Sequence, residues 1–164
     1  MFGSIFVVLV LYGFANAEYA PVSKLNLKNY VGRWYQVYKD KFDNTFQRFG
    51  TCAVADYGLA NSNVSVLNSQ IGKDGKLAQI AGYAFYSLGN SGGELTVQLD
   101  GVPRSAPYWV FQLGPIVDDQ YDYSLVSDDK RISLFVLVRN VSRYYELYDD
   151  DVQQSLVQTG FSSI

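Results

Sequence analysis

The chain has 164 residues, which suits one domain with a sizeable hydrophobic core. Hydrophobic residues make up 48% of the sequence and aromatic residues 16%, a composition typical of β-sheets. The net charge is -3 and the sequence shows no cluster of lysine and arginine, which argues against nucleic-acid binding. There is no histidine, the commonest general base and metal ligand. We therefore expect a β-rich domain without a metal, a cofactor or hydrolase chemistry.

The N-terminus predicts a secretory signal peptide. Residues 5–14 are apolar, and Ala15-Asn16-Ala17 supplies small side chains at the positions that flank a cleavage site. The apolar block is about half as long as a transmembrane helix requires. We expect residues 1–17 to be removed and residues 18–164 to form a secreted, extracellular domain with no transmembrane segment. A buried N-terminal helix of the domain is the alternative interpretation.

Two glycosylation sequons fit a secretory route. Asn63 and Asn140 each begin an Asn-Val-Ser triplet, which the secretory pathway would expose to modification. We expect both asparagines to be glycosylation acceptors on the surface of the domain.

Eight strand-like runs follow one another along the chain, separated by turn-forming residues. Short connections favour antiparallel pairing of consecutive strands, and only the first connection, around residues 40–50, is long. Eight such strands close most economically into an up-and-down barrel, because closure removes exposed sheet edges. The predicted strands cover residues 34–39, 51–59, 64–71, 76–86, 94–99, 108–113, 121–127 and 132–139.

The residues after the last predicted strand have helical spacing. Tyr148, Val152 and Leu156 are four apart, aspartates fill positions 149–151, and Gly160 follows. These signals predict a helix over about residues 149–158 that packs on the barrel wall. The predicted fold is therefore all-β, an eight-stranded antiparallel up-and-down barrel with a C-terminal α-helix.

Three short motifs occur in a characteristic order along this pattern. Gly32 and Trp34 open the first strand, the Asp122-Tyr123 pair lies near the start of the seventh predicted strand, and Arg139 ends the last one. The sequence resembles the lipocalins, nearest to the branch that includes apolipoprotein D and the bacterial outer-membrane lipocalins. The resemblance implies structural roles for these residues at the closed end of a barrel. Arg139 would lie over the indole of Trp34 and bind the backbone of the N-terminal turn.

The resemblance also implies a set of residues that line an internal pocket. Tyr57 and Asn68 match pocket-lining positions, and Phe135 matches an aromatic wall position. Since side chains alternate along a strand, further residues are expected to face inward, though core packing remains the alternative for each aromatic. The predicted ligand-binding residues are Tyr38, Tyr57, Val66, Asn68, Phe135 and Leu137, with Gln36, Ala53, Ala55 and Val64 beside them.

Cys52 is the single cysteine of the sequence. The matching cysteine in apolipoprotein D pairs with a second cysteine, which this sequence lacks. Three interpretations stay open: a wall thiol without a partner, an intermolecular disulfide, and a catalytic thiol as in lipocalin-type prostaglandin D synthase. Against catalysis, Cys52 and Tyr57 are an odd number of residues apart, and no base or cation adjoins the cysteine in sequence.

The resemblance implies a secreted, non-enzymatic carrier of one small hydrophobic molecule: a fatty acid or other lipid, a sterol, a retinoid or a tetrapyrrole. The alternatives are a thiol-dependent lipid isomerase that uses Cys52, and a protein-interaction module with a filled barrel. Lipocalins usually continue after the helix with a ninth strand beside the first, whereas only residues 161–164 follow here. We therefore expect the outer edge of the first strand to be exposed and open to dimer contacts, with Cys52 as a second route to a dimer.

Overall fold

The computed structural model describes residues 19–39, 50–61, 63–86 and 89–161. The predicted signal peptide and most of the long first connection lie outside the described residues. The strands, in chain order, are β1 (Gly32–Lys39), β2 (Thr51–Ala60), β3 (Asn63–Ile71), β4 (Leu77–Tyr86), β5 (Glu94–Leu99), β6 (Ala106–Leu113), β7 (Ile116–Val117), β8 (Gln120–Tyr121), β9 (Tyr123–Ser127) and β10 (Leu134–Val138). The helices are α1 (Leu27–Tyr30), α2 (Val141–Leu147) and α3 (Asp149–Gln158).

Eight of the ten described strands close into one antiparallel barrel in the order β1-β10-β9-β6-β5-β4-β3-β2. This confirms the predicted eight-stranded up-and-down barrel. The run predicted over residues 121–127 is interrupted at Asp122, because Gln120 and Tyr121 pair with β7 in a separate two-stranded sheet. That small hairpin lies against α1 at one end of the barrel, where Asn29 Nδ2 donates to the Asp119 carbonyl oxygen.

The first strand is not an edge strand. Residues 32–35 pair with β2, and residues 35–39 pair with β10. The expectation of an exposed outer edge along β1 is therefore wrong for these paired stretches. The physical reason is closure: a barrel joins its first and last strands and needs no additional strand to cover them.

The barrel wall separates two apolar clusters, because alternate residues of each strand face opposite sides. The inner cluster fills the closed end and lines the walls, and Trp34 and Val110 are fully buried in it. The outer cluster lies between the wall and the C-terminal helices. It is formed by Leu125, Leu134, Val136, Val138, Tyr144, Val152, Leu156 and Phe161.

The C-terminal helix α3 begins and ends where the sequence predicts, and Val152 and Leu156 are its buried residues. The preceding helix α2 was not predicted. Asn140 caps it, since its side-chain oxygen accepts from the Arg143 amide at 3.0 Å. The asparagine was interpreted only as a sequon, although asparagine is also a favoured N-cap residue. No helix in the described ranges is long and apolar enough to cross a membrane.

Candidate functional site

The closed end of the barrel is built around Arg139. Its guanidinium carbon lies 3.5 Å from the centroid of the Trp34 ring, a cation–π contact. Burial lowers the pKa of Arg139 to about 10, so the group stays charged at neutral pH. Its three nitrogens donate to five backbone carbonyls at 2.7–3.4 Å, those of Asn29, Tyr30, Val31, Arg33 and Tyr121.

Gly32 gives the guanidinium room to approach the chain. Its φ of 104° lies in the region that favours glycine, and a Cβ there would lie 3.2 Å from Arg139 Nη1. The indole nitrogen of Trp34 donates to the Tyr30 carbonyl at 2.8 Å. Arg139, Trp34 and Gly32 thus connect α1 to β1, the first strand, and to the end of β10, the last strand.

Asp122 and Tyr123 lie at the same end, on the outer side of the wall. The Asp122 carboxylate is buried and forms two hydrogen bonds with the Arg143 guanidinium of α2, one of them at 2.7 Å. The ring of Tyr123 packs against Tyr148 with centroids 5.3 Å apart. This role of Arg143 was not predicted from the sequence, because no residue near it in the chain indicates that α2 packs against Asp122.

The barrel encloses a cavity of about 640 Å³, a size typical of small-molecule sites. Its wall is mostly apolar, formed by valine, leucine and alanine side chains of β2 to β5, β9 and β10. Five of the predicted ligand-binding residues line it: Tyr57, Val66, Asn68, Phe135 and Leu137. The barrel is therefore not filled by its own side chains.

Tyr38 does not line the cavity, contrary to the expectation from alternation. The pairing of β1 with β10 shifts by one residue between Gln36 and Tyr38, and this bulge places Val37 and Tyr38 both against the outer cluster. The Tyr38 ring lies 6.4 Å from that of Tyr144, and its hydroxyl donates to Asp149 at 3.3 Å. Gln36, before the bulge, faces the cavity.

Three tyrosines meet at the floor of the cavity. The Tyr108 hydroxyl lies 2.8 Å from that of Tyr30 and 3.1 Å from that of Tyr57, and Tyr30 also contacts the Ser124 hydroxyl at 3.1 Å. Burial raises the pKa of all three phenols, that of Tyr57 to about 12, so each hydroxyl keeps its proton. The four hydroxyl groups, those of the three tyrosines and Ser124, carry four protons but form only three hydrogen bonds with one another. One hydroxyl proton is therefore left to bind another acceptor.

The mouth of the cavity lies at the opposite end and includes the β9–β10 connection. The Asp128 carboxylate organises this loop, because it accepts from the backbone amides of Lys130, Ile132 and Ser133 at 2.8–3.1 Å. The Ser133 hydroxyl adds a fourth bond at 2.7 Å. Arg104, on the β5–β6 connection, is the cation among the residues that line the described cavity.

We expect the Asp128 loop to give the protein an acid-sensitive increment of stability. Partial burial alone would raise the pKa of Asp128, but the bonds from Ser133, Ile132 and Lys130 outweigh it and lower the pKa below 3.8. A lowered folded-state pKa stabilises the folded state above the unfolded value, and the contribution is lost as pH falls through the folded value. Asp128→Asn should therefore be less stable than wild type at neutral pH, and the difference should shrink below about pH 3.8.

Urea denaturation across this pH range measures the difference. The matched control is Asp129→Asn, which removes the neighbouring exposed carboxylate and none of the four loop bonds. A difference between Asp128→Asn and wild type that stays constant with pH would contradict the assignment.

Cys52 lies outside the cavity. It is exposed, with a φ of 53°, at a bulge where the pairing of β2 with β3 shifts between Thr51 and Val54. It borders a separate outer depression of about 350 Å³, together with Leu67 and Ile71. Within the described ranges, no three side chains of the types that ligate metals come together.

Both sequon asparagines are exposed. Asn63 begins β3 beside the β2–β3 turn, and Asn140 precedes α2 at the closed end. The side-chain oxygen of Asn140 forms the helix cap, so its amide nitrogen remains free of that bond.

Comparison with known proteins places the chain in a family. A protein-family model described as "Lipocalin-like domain" matches residues 25–162. Apolipoprotein D of Rattus norvegicus is 35% identical over 108 residues, which cover 65% of this chain and 53% of that protein. The chain thus spans about half the length of the apolipoprotein D sequences that it matches.

One further relative and one solved structure of similar fold match more of the chain. The outer membrane lipoprotein Blc of Vibrio cholerae is 31% identical over 137 residues, covering 82% of this chain and 77% of that protein. Insecticyanin from the tobacco hornworm Manduca sexta superposes with a TM-score of 0.65 at 17% identity, over 87% of this chain and 79% of that one. The closed barrel and the match over residues 25–162 show that the chain belongs to the lipocalin family.

Proposed function

We propose that the protein is a secreted carrier that binds one small hydrophobic molecule inside the barrel. The observation that carries this proposal is the open, mainly apolar cavity of about 640 Å³. Lipocalins bind small hydrophobic ligands, and a cavity with apolar walls and a few polar groups is the usual form of such a site. The ligand classes that fit are a fatty acid or other lipid, a sterol, a retinoid and a tetrapyrrole.

Affinity in such a site comes from removing the ligand's apolar surface from water, at about 25 cal/mol per Å² before ordering costs. Val66, Phe135 and Leu137 supply apolar wall. Tyr57 and Asn68 supply polar contacts within it, and the phenol of Tyr57 remains a neutral hydrogen-bond donor. No covalent step is required, so the protein acts by binding and release.

Two observations favour the carrier over the alternatives. A lipid isomerase would need its thiol beside the substrate, whereas Cys52 borders the outer depression rather than the cavity. A protein-interaction module with a filled barrel would not contain a cavity of this size. An intermolecular disulfide through Cys52 remains compatible with the carrier, because the thiol is exposed.

The secretory part of the proposal rests on the sequence. Residues 1–17 would act as the signal peptide, and Asn63 and Asn140 would accept glycans in the secretory pathway. Both asparagines are exposed on the folded domain, as glycan attachment requires.

Native mass spectrometry of the secreted protein tests the proposal. Cells that produce the protein are supplied with each ligand class in turn, and we expect the protein to carry one non-covalent molecule in at least one case, which solvent extraction then removes and identifies. Glycans are distinguished from this ligand because they survive extraction. A folded protein that carries no extractable molecule under any of these conditions would contradict the carrier function.

A further inference from the structure

The side-chain oxygen of Gln36 is a buried acceptor without a hydrogen-bond partner among the described residues. Gln36 lies on β1 and lines the cavity. Its amide nitrogen lies 3.5 Å from the Tyr38 carbonyl oxygen. A carbonyl oxygen can only accept, so this contact favours the nitrogen on that side and leaves the amide oxygen on the other.

Among the residues that the structure describes, none donates a hydrogen bond to this oxygen. Across the pairing with β10, Gln36 faces Leu137, whose side chain is apolar. Buried polar atoms in folded proteins are nearly always paired, and an exception calls for a physical explanation. Because this one lines a cavity that can hold a ligand, the occupant of the cavity is the natural source of the missing donor.

The position of Gln36 separates it from the tyrosines at the floor. Tyr57 pairs with Gly32, four residues before Gln36 on the same strand. Four residues of β-strand span about 13 Å, so the two polar points lie at different heights in the cavity. A ligand that reaches both would present an acceptor near the floor and a donor farther toward the mouth.

We propose that the ligand carries a hydrogen-bond donor, an alcohol O–H or an N–H, which binds the side-chain oxygen of Gln36. This inference rests on the proposed carrier function and narrows its ligand class. An ionised carboxylate, a ketone or an ester has no proton to donate and leaves the oxygen unpaired. Sterols, retinoid alcohols and pyrrole N–H groups can donate a hydrogen bond to the Gln36 oxygen, whereas fatty-acid anions cannot.

Matched ligand pairs test the inference. Cholesterol and retinol are each compared with their methyl ethers by fluorescence titration of the delipidated protein. We expect wild type to bind at least one alcohol about three- to ten-fold more tightly than its ether, the range that one net hydrogen bond gives. Gln36→Met keeps the length of the side chain, removes the amide and should abolish this preference.

The matched control is Tyr38→Phe, which removes a hydroxyl two residues away on the outer face of the same strand. It should keep the wild-type preference for the alcohol. Gln36→Leu is the second variant in case Gln36→Met does not fold.

Each contrary result has a distinct meaning. An alcohol-to-ether ratio that is the same in wild type and in both Gln36 variants overturns the inference and leaves the carrier function standing. So does a wild-type protein that binds palmitate but neither alcohol. A folded protein that binds neither these probes nor a tetrapyrrole overturns both.

Discussion

Arg139→Ala is expected to lower the free energy of unfolding by about 3 kcal/mol or more, the largest stability effect of any substitution considered. The change removes a cation–π contact with Trp34 worth about 0.5–2 kcal/mol. It also removes charge-assisted hydrogen bonds to five backbone carbonyls, for which a single such bond contributes about 1.5–3 kcal/mol. These contributions overlap, so they do not simply add. Urea denaturation at neutral pH measures the change.

Ligand affinity of the folded fraction should change little, because Arg139 is not among the residues that line the cavity. Arg33→Ala is the matched control: this exposed arginine forms a surface ion pair with Asp56, so its loss should have a small effect. Arg139→Lys keeps the positive charge but loses the planar guanidinium with its several N–H donors, so its free energy of unfolding should fall about as much as that of Arg139→Ala. An Arg139→Ala protein with wild-type melting but no ligand binding would overturn the structural role and move the site to the closed end.

Filling the cavity should have the largest effect on binding. Ala55 is buried on β2, lines the cavity and pairs with Trp34 on one side and Asn68 on the other. Ala55→Trp places an indole in the space that the ligand would occupy. We expect it to weaken binding at least about 100-fold, equivalent to about 2.7 kcal/mol. Fluorescence titration of the delipidated variant measures the loss.

Ala55 borders the cavity but also belongs to the buried inner cluster, so we expect overpacking to cost about 1–3 kcal/mol of stability without preventing folding, which a melting curve checks. Ala60→Trp introduces the same side chain at an exposed position of the same strand and should bind as wild type does. Unchanged affinity in a folded Ala55→Trp protein would place the ligand elsewhere, with the outer depression beside Cys52 as the next region to test.

The barrel and the last helix could be predicted because their signals are local. Alternation and turn residues located the strands, and the spacing of Val152 and Leu156 located α3 within its observed bounds. The family resemblance identified Tyr57, Asn68 and Phe135 as cavity residues, and alternation along their strands added Val66 and Leu137. These features depend on short-range patterns, which a single sequence displays directly.

The remaining features depend on contacts between distant segments. The bulge after Gln36 places the Tyr38 side chain on the outside of the barrel, and no residue in β1 predicts a bulge there. The bond between Arg143 and Asp122 joins positions 21 residues apart. The meeting of the tyrosine hydroxyls at the floor spans three separate elements, so only the folded barrel reveals it.

We infer that the barrel cavity of this lipocalin binds one hydrophobic molecule. Calorimetric titration of the delipidated wild-type protein with a fatty acid, a sterol, a retinoid and a tetrapyrrole tests it most directly. We predict saturable binding of one molecule per chain for at least one class, with a negative heat-capacity change from apolar burial, and its loss in Ala55→Trp. A folded, delipidated protein that gives no saturable binding with any of the four would contradict the claim.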